Sequence, residues 1–256
     1  QMFTCDYHIH TNISQCAMED MEFQEIIRVQ EERGMTEIGF ADHCYGFRYR
    51  LKKVEEAKQK ISDCETSIKI HFGVEAHMLQ YRMPSVGVEF ASLFDYVLMA
   101  PNHYHIPGVA RPDDNKPRLI AIHEIYMFES AVNCPLTDVV AHPFVFFPKS
   151  FGMNEEEMPD FSLEIMSYID DKRLASALDT AADLGIGIEL SPKFISFGQA
   201  HLIDFYQLCL EHQVKLLIGS GAHSFDELDK ISLLEPIISK LGITEKHLWH
   251  PHEWKW

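Results

Sequence analysis

The sequence predicts an α/β protein built on a mostly parallel sheet, closed as a barrel or open and doubly wound. Three observations lead there. Short β-rich runs alternate with longer amphipathic ones from end to end. No Pro-, Ser- or Gly-rich linker and no shift of composition divides the chain, so all 256 residues (1–256) read as one domain. A content of 46% hydrophobic and 24% charged residues suits a large packed core, which excludes disorder, collagen and coiled coil.

Seven strands are expected, at 3–8 (FTCDYH), 37–41 (EIGFA), 69–75 (KIHFGVE), 95–100 (DYVLMA), 138–142 (DVVAH), 186–190 and 214–219 (VKLLIG). Helical patterns lie between them, at 19–33, 51–66, roughly 118–131, 172–184, 201–212 and 225–240. Gly34, Gly185 and Gly242 follow three of these and offer left-handed C-caps. Segment 143–170, aromatic and acidic, matches neither period and reads as a loop-like excursion over one face.

Charge and composition narrow the partners. With 22 Lys+Arg against 39 Asp+Glu the net charge is −17, so the chain lacks the basic surface that holds a phosphate backbone, and nucleic acid is not expected. No apolar run nears the roughly 20 residues of a membrane span and no leader pattern opens the sequence, which predicts a soluble, cytoplasmic protein with no membrane partner. Six cysteines without a C-x-x-C pair read as reduced thiols. The oligomeric state stays open.

The anomaly is 15 histidines. Six of the seven expected strands end in or just before one: His8/His10, His43, His77, His103/His105, His142 and His223. In barrels and open α/β sheets alike, the carboxyl ends of the strands form the reactive face. His71, His123, His201 and His212 fall at a strand start or in helices and read as surface or capping residues. Residues i and i+2 of a strand point to one side, about 6–7 Å apart, so His8 and His10 can reach one ion. Glu75 closes an apolar strand, where an ionised carboxylate is costly unless paired or metal-bound. Asp42 precedes His43 at another strand end, placed to orient a neighbour.

These motifs, in order, are H-x-H (His8, His10), D-H (Asp42, His43), G-x-E (Gly73, Glu75), a lone His103, H-P (His142, Pro143) and G-S-x-x-H (Gly219, Ser220, His223). From about residue 6 to residue 223 their order and spacing resemble the polymerase and histidinol phosphatase (PHP) superfamily. The resemblance implies a distorted seven-stranded (β/α)7 TIM-like barrel holding two or three divalent ions, zinc, iron or manganese. It implies one ion on His8, His10 and Glu75, a second on His43 and His223, and a third on Glu75, His103 and His142, with Glu75 bridging. Asp42, His43 and His223 are expected to serve in catalysis.

Two positions depart from the pattern. Where an Asp or His usually follows H-x-H, this chain has Gln15 and Cys16, and Cys16 is the candidate ligand there, with Asp20 behind it. The terminal G-S-D-x-H reads GSGAH, so Gly221 stands in place of an aspartate, with Asp226 or Glu189 as possible recruits. Restoring the carboxylate by Gly221→Asp is expected to tighten the ion on His8 and His10, provided the backbone there avoids positive φ.

The implied activity is a metal-dependent phosphatase that cleaves a small phosphate monoester, histidinol phosphate or similar, by metal-activated water. Because the protein's overall field repels anions, local cations must help, and Arg48, Arg50, Arg111 and Lys193 follow strand ends. Lys193 lies nearest to one. The alternatives are a degenerate member that binds metal or ligand without turnover, favoured by Gly221, and an amidohydrolase-like C–N or lactone hydrolase. The C-terminal KHLWHPHEWKW reads as a segment packing tryptophan on the barrel or on a neighbouring subunit, rather than as a further metal site.

Overall fold

The computed structural model of the protein describes residues 3–47 and 51–252. Its strands are β1 (Cys5–Ile9), β2 (Glu37–His43), β3 (Lys69–Gln80), β4 (Met83–Pro84), β5 (Val97–Ala100), β6 (Val139–Val140), β7 (Gly187–Leu190) and β8 (Leu216–Ile218). Seven of them pair in parallel in the order β1-β2-β3-β5-β6-β7-β8, and β4 folds back antiparallel on the end of β3. Gly221 N–H donates to His8 O at 2.7 Å and His10 N–H to Ala222 O at 3.0 Å, so the last strand end meets the first. A parallel bridge joins Ile9 and Ala222 at the same seam. The sheet is therefore a nearly closed barrel, not an open doubly wound one.

Period-two alternation decides what fills the barrel. Tyr96, just before β5, is 1% exposed, and its hydroxyl donates to Tyr7 O at 2.5 Å. Its ring lies over Gly39 on β2 and Gly73 on β3, where a methyl group on either would overlap it. Trp249 packs beside it: its backbone N–H donates to Leu216 O at 2.9 Å, and a Cβ on Gly187 would stand 2.8 Å from its indole Cγ. Together they close the end of the barrel where the strands begin. The tail thus packs a tryptophan on the barrel, as its composition predicts; Trp254 and Trp256 lie outside the described residues, as do Arg48 and Arg50.

The helices include Phe23–Glu32, Leu51–Ser62, Pro117–Val132, Asp171–Leu184 and Ile203–Glu211, close to the periodic segments. Two segments differ. Within 143–170 lies a true helix, Met158–Ser167, with Pro159 in its first turn, where a missing N–H costs nothing. Its buried residues Met158, Ser162 and Ile165 follow helical spacing. The single helix expected at 225–240 is instead Phe225–Leu228, a 3-10 stretch Asp229–Leu234 and a second helix Glu235–Leu241. Pro236 explains the break, since it cannot donate backward into a continuing helix. Among the described residues no helix is long and apolar enough to cross a membrane.

Candidate metal centre

Glu75, 1% exposed in the middle of β3, is the hub. Its Oε2 lies 3.5 Å from His8 Nε2, 3.6 Å from His10 Nε2 and 2.8 Å from His43 Nδ1. Its Oε1 lies 3.1 Å from His142 Nε2 and 3.4 Å from His103 Nε2. Each oxygen thus faces its own set of imidazoles. Although His43 Nδ1 and Glu75 Oε2 are close, they are not aligned as a hydrogen bond, and each remains buried without a hydrogen-bond partner.

The ring nitrogens converge in the same way. His8 Nε2 and His10 Nε2 stand 3.1 Å apart, as do His103 Nε2 and His142 Nε2. Two nitrogens at about 2.0–2.1 Å from one tetrahedral ion would stand roughly 3.3–3.4 Å apart. Ligand atoms lie within 4.8 Å of one another in four groups: His8, His10 and Glu75; Glu75, His103 and His142; His10, His43 and His223; and His43, His77 and His103. Imidazole with carboxylate is a donor set that suits zinc, iron or manganese. The residues present fit such ions.

A layer of hydrogen bonds fixes which nitrogen of each ring faces inward. Glu189 Oε1 accepts from His8 Nδ1–H at 2.7 Å, which turns Nε2 toward His10 and Glu75. Its Oε2 accepts from His142 N–H at 2.8 Å, and His142 is held at φ +30°, which non-glycine residues rarely adopt. Ser14 donates to Asp42 Oδ1 at 2.7 Å and so receives His10 Nδ1–H at 3.2 Å and His43 N–H at 3.0 Å. Asp42 also accepts from Thr11 N–H and Thr11 Oγ1, at 2.7 and 2.6 Å. His77 Nδ1 stands 3.0 Å from His103 Nδ1 behind the cluster.

The electrostatics follow from burial and these neighbours. Burial opposes charge on every group here. His8 is nevertheless raised to about 10 by Glu189 and Glu75, and His43 to about 9 by Glu75 and Cys16. Burial and the surrounding imidazoles hold His10 and His103 well below their usual value. His103, His43 and His8 outweigh burial to keep Glu75 ionised far below the usual carboxylate range. Burial raises Asp42 to about 6.

The cluster opens into a cavity of about 570 Å³, lined also by Cys16, Phe147, Phe197, Lys193, Glu227 and Ser220. Of the residues the sequence singles out, His8, His10, His43, Glu75, His103, His142 and His223 are brought together there. Cys16 sits at the mouth, exposed, 3.8 Å from Tyr45 Oη. Burial would raise its thiol, but His223 and His43 bring it down to about 5. Others are placed elsewhere. Asp42 does not line the cavity and acts through Ser14 and Thr11 rather than on a ligand. Arg111 turns its guanidinium to the carbonyls of Tyr104 and Ser150, away from the cavity lining. Asp226 is exposed and outside the lining, whereas Glu227 accepts from His223 N–H at 2.8 Å. Glu189 orients His8 and is absent from the ligand groups.

Gly221 takes φ +60°, and a Cβ there would stand 2.7 Å from Lys193 Cε. The gain expected of Gly221→Asp is therefore opposed twice, by backbone strain and by the lysine arm. Sequence reasoning gave Glu189 too little weight and missed Ser14. Glu189 carries the same signal as Glu75, a lone carboxylate in an apolar strand.

A nearly closed parallel barrel with histidines and a shared carboxylate at the strand ends defines a class of barrel proteins built around metal centres. A family model described as the PHP domain matches residues 6–175, well over half of the chain, and the protein belongs to that family. Among solved structures, the crystal structure of histidinol phosphate phosphatase (HISK) from Lactococcus lactis subsp. lactis Il1403, complexed with Zn, L-histidinol and phosphate, has a similar fold. It is 14% identical, with 95% of each chain covered and a TM-score of 0.63. Comparison with curated protein sequences gives no match.

Proposed function

We propose that the protein is a metal-dependent phosphoesterase that cleaves a small phosphate monoester. The observation that carries this is Glu75, whose two oxygens face two separate histidine sets at the foot of one cavity. Divalent ions held by His8, His10, Glu75, His43, His103, His142 and His223 would supply an activated water and charge neutralisation at the phosphoryl oxygens. The chain's own groups prepare the place. Glu189, Ser14 and His77 set the rings, so that little reorganisation is left for the reaction. His223, partly buried in the cavity and backed by Glu227, stands with His10 and His43, where it would help to hold an ion. Phe147 and Phe197, with ring centroids 5.7 Å apart, give the organic part of a substrate an apolar wall. A cavity of about 570 Å³ admits a small ligand.

Histidinol phosphate is the first substrate to try, because the similarly folded phosphatase was crystallised with zinc, L-histidinol and phosphate. The test is mass-spectrometric metal analysis of protein purified without added metal, with turnover of histidinol phosphate and an aryl phosphate in Mn²⁺ or Zn²⁺. Bound metal with phosphate release that His8→Ala abolishes is the expected result. Metal without hydrolysis would make the protein a binder, and hydrolysis of esters or lactones but not phosphates would move it to another hydrolase class.

A further inference from the structure

Lys193 opens the one-turn helix Lys193–Ser196, three residues past the end of β7, and its arm crosses to the end of β8. The crossing is possible because residue 221 has no side chain. A Cβ at 221 would stand 2.7 Å from Lys193 Cε and 3.0 Å from its Nζ. The turn also needs a glycine for its own geometry, since φ is +60° and the N–H is committed to His8 O at 2.7 Å. One residue thus shapes the strand end and vacates the volume that the lysine fills.

The amine that arrives there has few partners. Among the described residues it makes no ion pair within 4 Å. The nearby carboxylate is Glu227, whose Oε2 accepts from His223 N–H at 2.8 Å and whose Oε1 lies 3.7 Å from Lys230 Nζ. The Phe147 ring centroid is 5.9 Å from the lysine Nζ. A half-buried ammonium without an ion-pair partner, in the same cavity as the histidine cluster, is placed for an anion from solution.

We propose that Lys193, admitted by Gly221, is the cation that grips the anionic phosphoryl group of the ligand in this cavity. The proposal rests on reading the cavity as a phosphate site, and it makes the Gly221–Lys193 pair one functional unit.

The probe is inorganic phosphate, titrated calorimetrically into zinc-loaded protein, with metal content measured on the same samples. Lys193→Met should weaken phosphate binding roughly 10- to 100-fold, the worth of one charge-assisted hydrogen bond, at an unchanged metal-to-protein ratio. Lys193→Arg should stay within a few-fold of wild type. Gly221→Ala, which pushes the arm out of place, should lose phosphate affinity as Lys193→Met does, and Lys193→Met carries the test if Gly221→Ala folds poorly. Unchanged phosphate affinity in Lys193→Met, or loss of metal along with phosphate, would overturn the proposal. Should wild type bind phosphate through Lys193 yet hydrolyse no ester, the phosphoesterase reading fails and this one stands. Should it hydrolyse esters with the same KM in Lys193→Met, the reverse holds.

Discussion

Glu189→Gln is a nearly isosteric change that separates orientation from ligation. Glu189 is fully buried and accepts twice, from His8 Nδ1–H at 2.7 Å and from His142 N–H at 2.8 Å. A glutamine has one acceptor oxygen and one donor NH₂. The backbone N–H of His142 cannot change its role, so the amide oxygen turns to it and the NH₂ faces His8 Nδ1. His8 must then accept at Nδ1 and carry its proton on Nε2, the nitrogen that faces His10 and Glu75, which removes an electron pair an ion needs. The opposite amide orientation sets NH₂ against a backbone N–H. Either arrangement loses a charge-assisted hydrogen bond of about 1.5–3 kcal/mol, in line with the roughly 10- to 100-fold loss of metal affinity common for residues that orient ligands. Zinc affinity, measured by competition with a chromogenic chelator at pH 7.5, should fall by that factor while far-ultraviolet circular dichroism is unchanged. A folded Glu189→Gln protein with wild-type zinc affinity would refute this account of the ring orientations.

Three further outcomes are expected. Glu75→Ala should empty both sides of the centre and His142→Ala chiefly one, while His123→Ala, on a helix and bonded to Ala110 O, should leave the mass-spectrometric metal ratio unchanged. Burial raises Glu124 from the usual 4.5 to about 8, although Tyr104 donates to it. The unfolded chain would lose that proton near 4.5 and the folded one near 8, so stability falls as pH rises through this window, by at most on the order of 5 kcal/mol. Glu124→Gln should therefore melt above wild type at pH 8.5 and close to it at pH 4.5; a gap that does not widen with pH would count against the buried carboxyl. Trp249→Ala should cost about 3–5 kcal/mol in urea denaturation, because the ring fills the space beside Gly187 and Tyr96.

The barrel was legible because its strands are short apolar runs between periodic helices, and the histidine cluster because histidines recur at strand ends such as His43 and His142. What escaped notice has physical reasons. Pro159 and Pro236 both sit in the first turn of a helix: the first opens Met158–Ser167, whose spacing was present all along, and the second opens Glu235–Leu241 and so parts it from the turns before it. Ser14 gains meaning only when the loop after β1 lies against Asp42. Lys193 and Gly221 are separated along the chain, and their contact exists only once β7 and β8 are neighbours. Arg111 shows the reverse error, since proximity to a strand end does not say which carbonyls a long side chain will prefer.

The Tyr96 ring spanning Gly39 and Gly73, with Trp249 beside it, makes the barrel a vessel with a floor. Whatever enters the cavity would then leave by the same mouth, which Cys16, His223 and Lys193 border. A ligand seated there stands between the ions and the solvent. If the cavity takes ions and phosphate as proposed, metal would load before phosphate, and protein saturated with phosphate should surrender its ions to a chelator only as fast as the phosphate leaves.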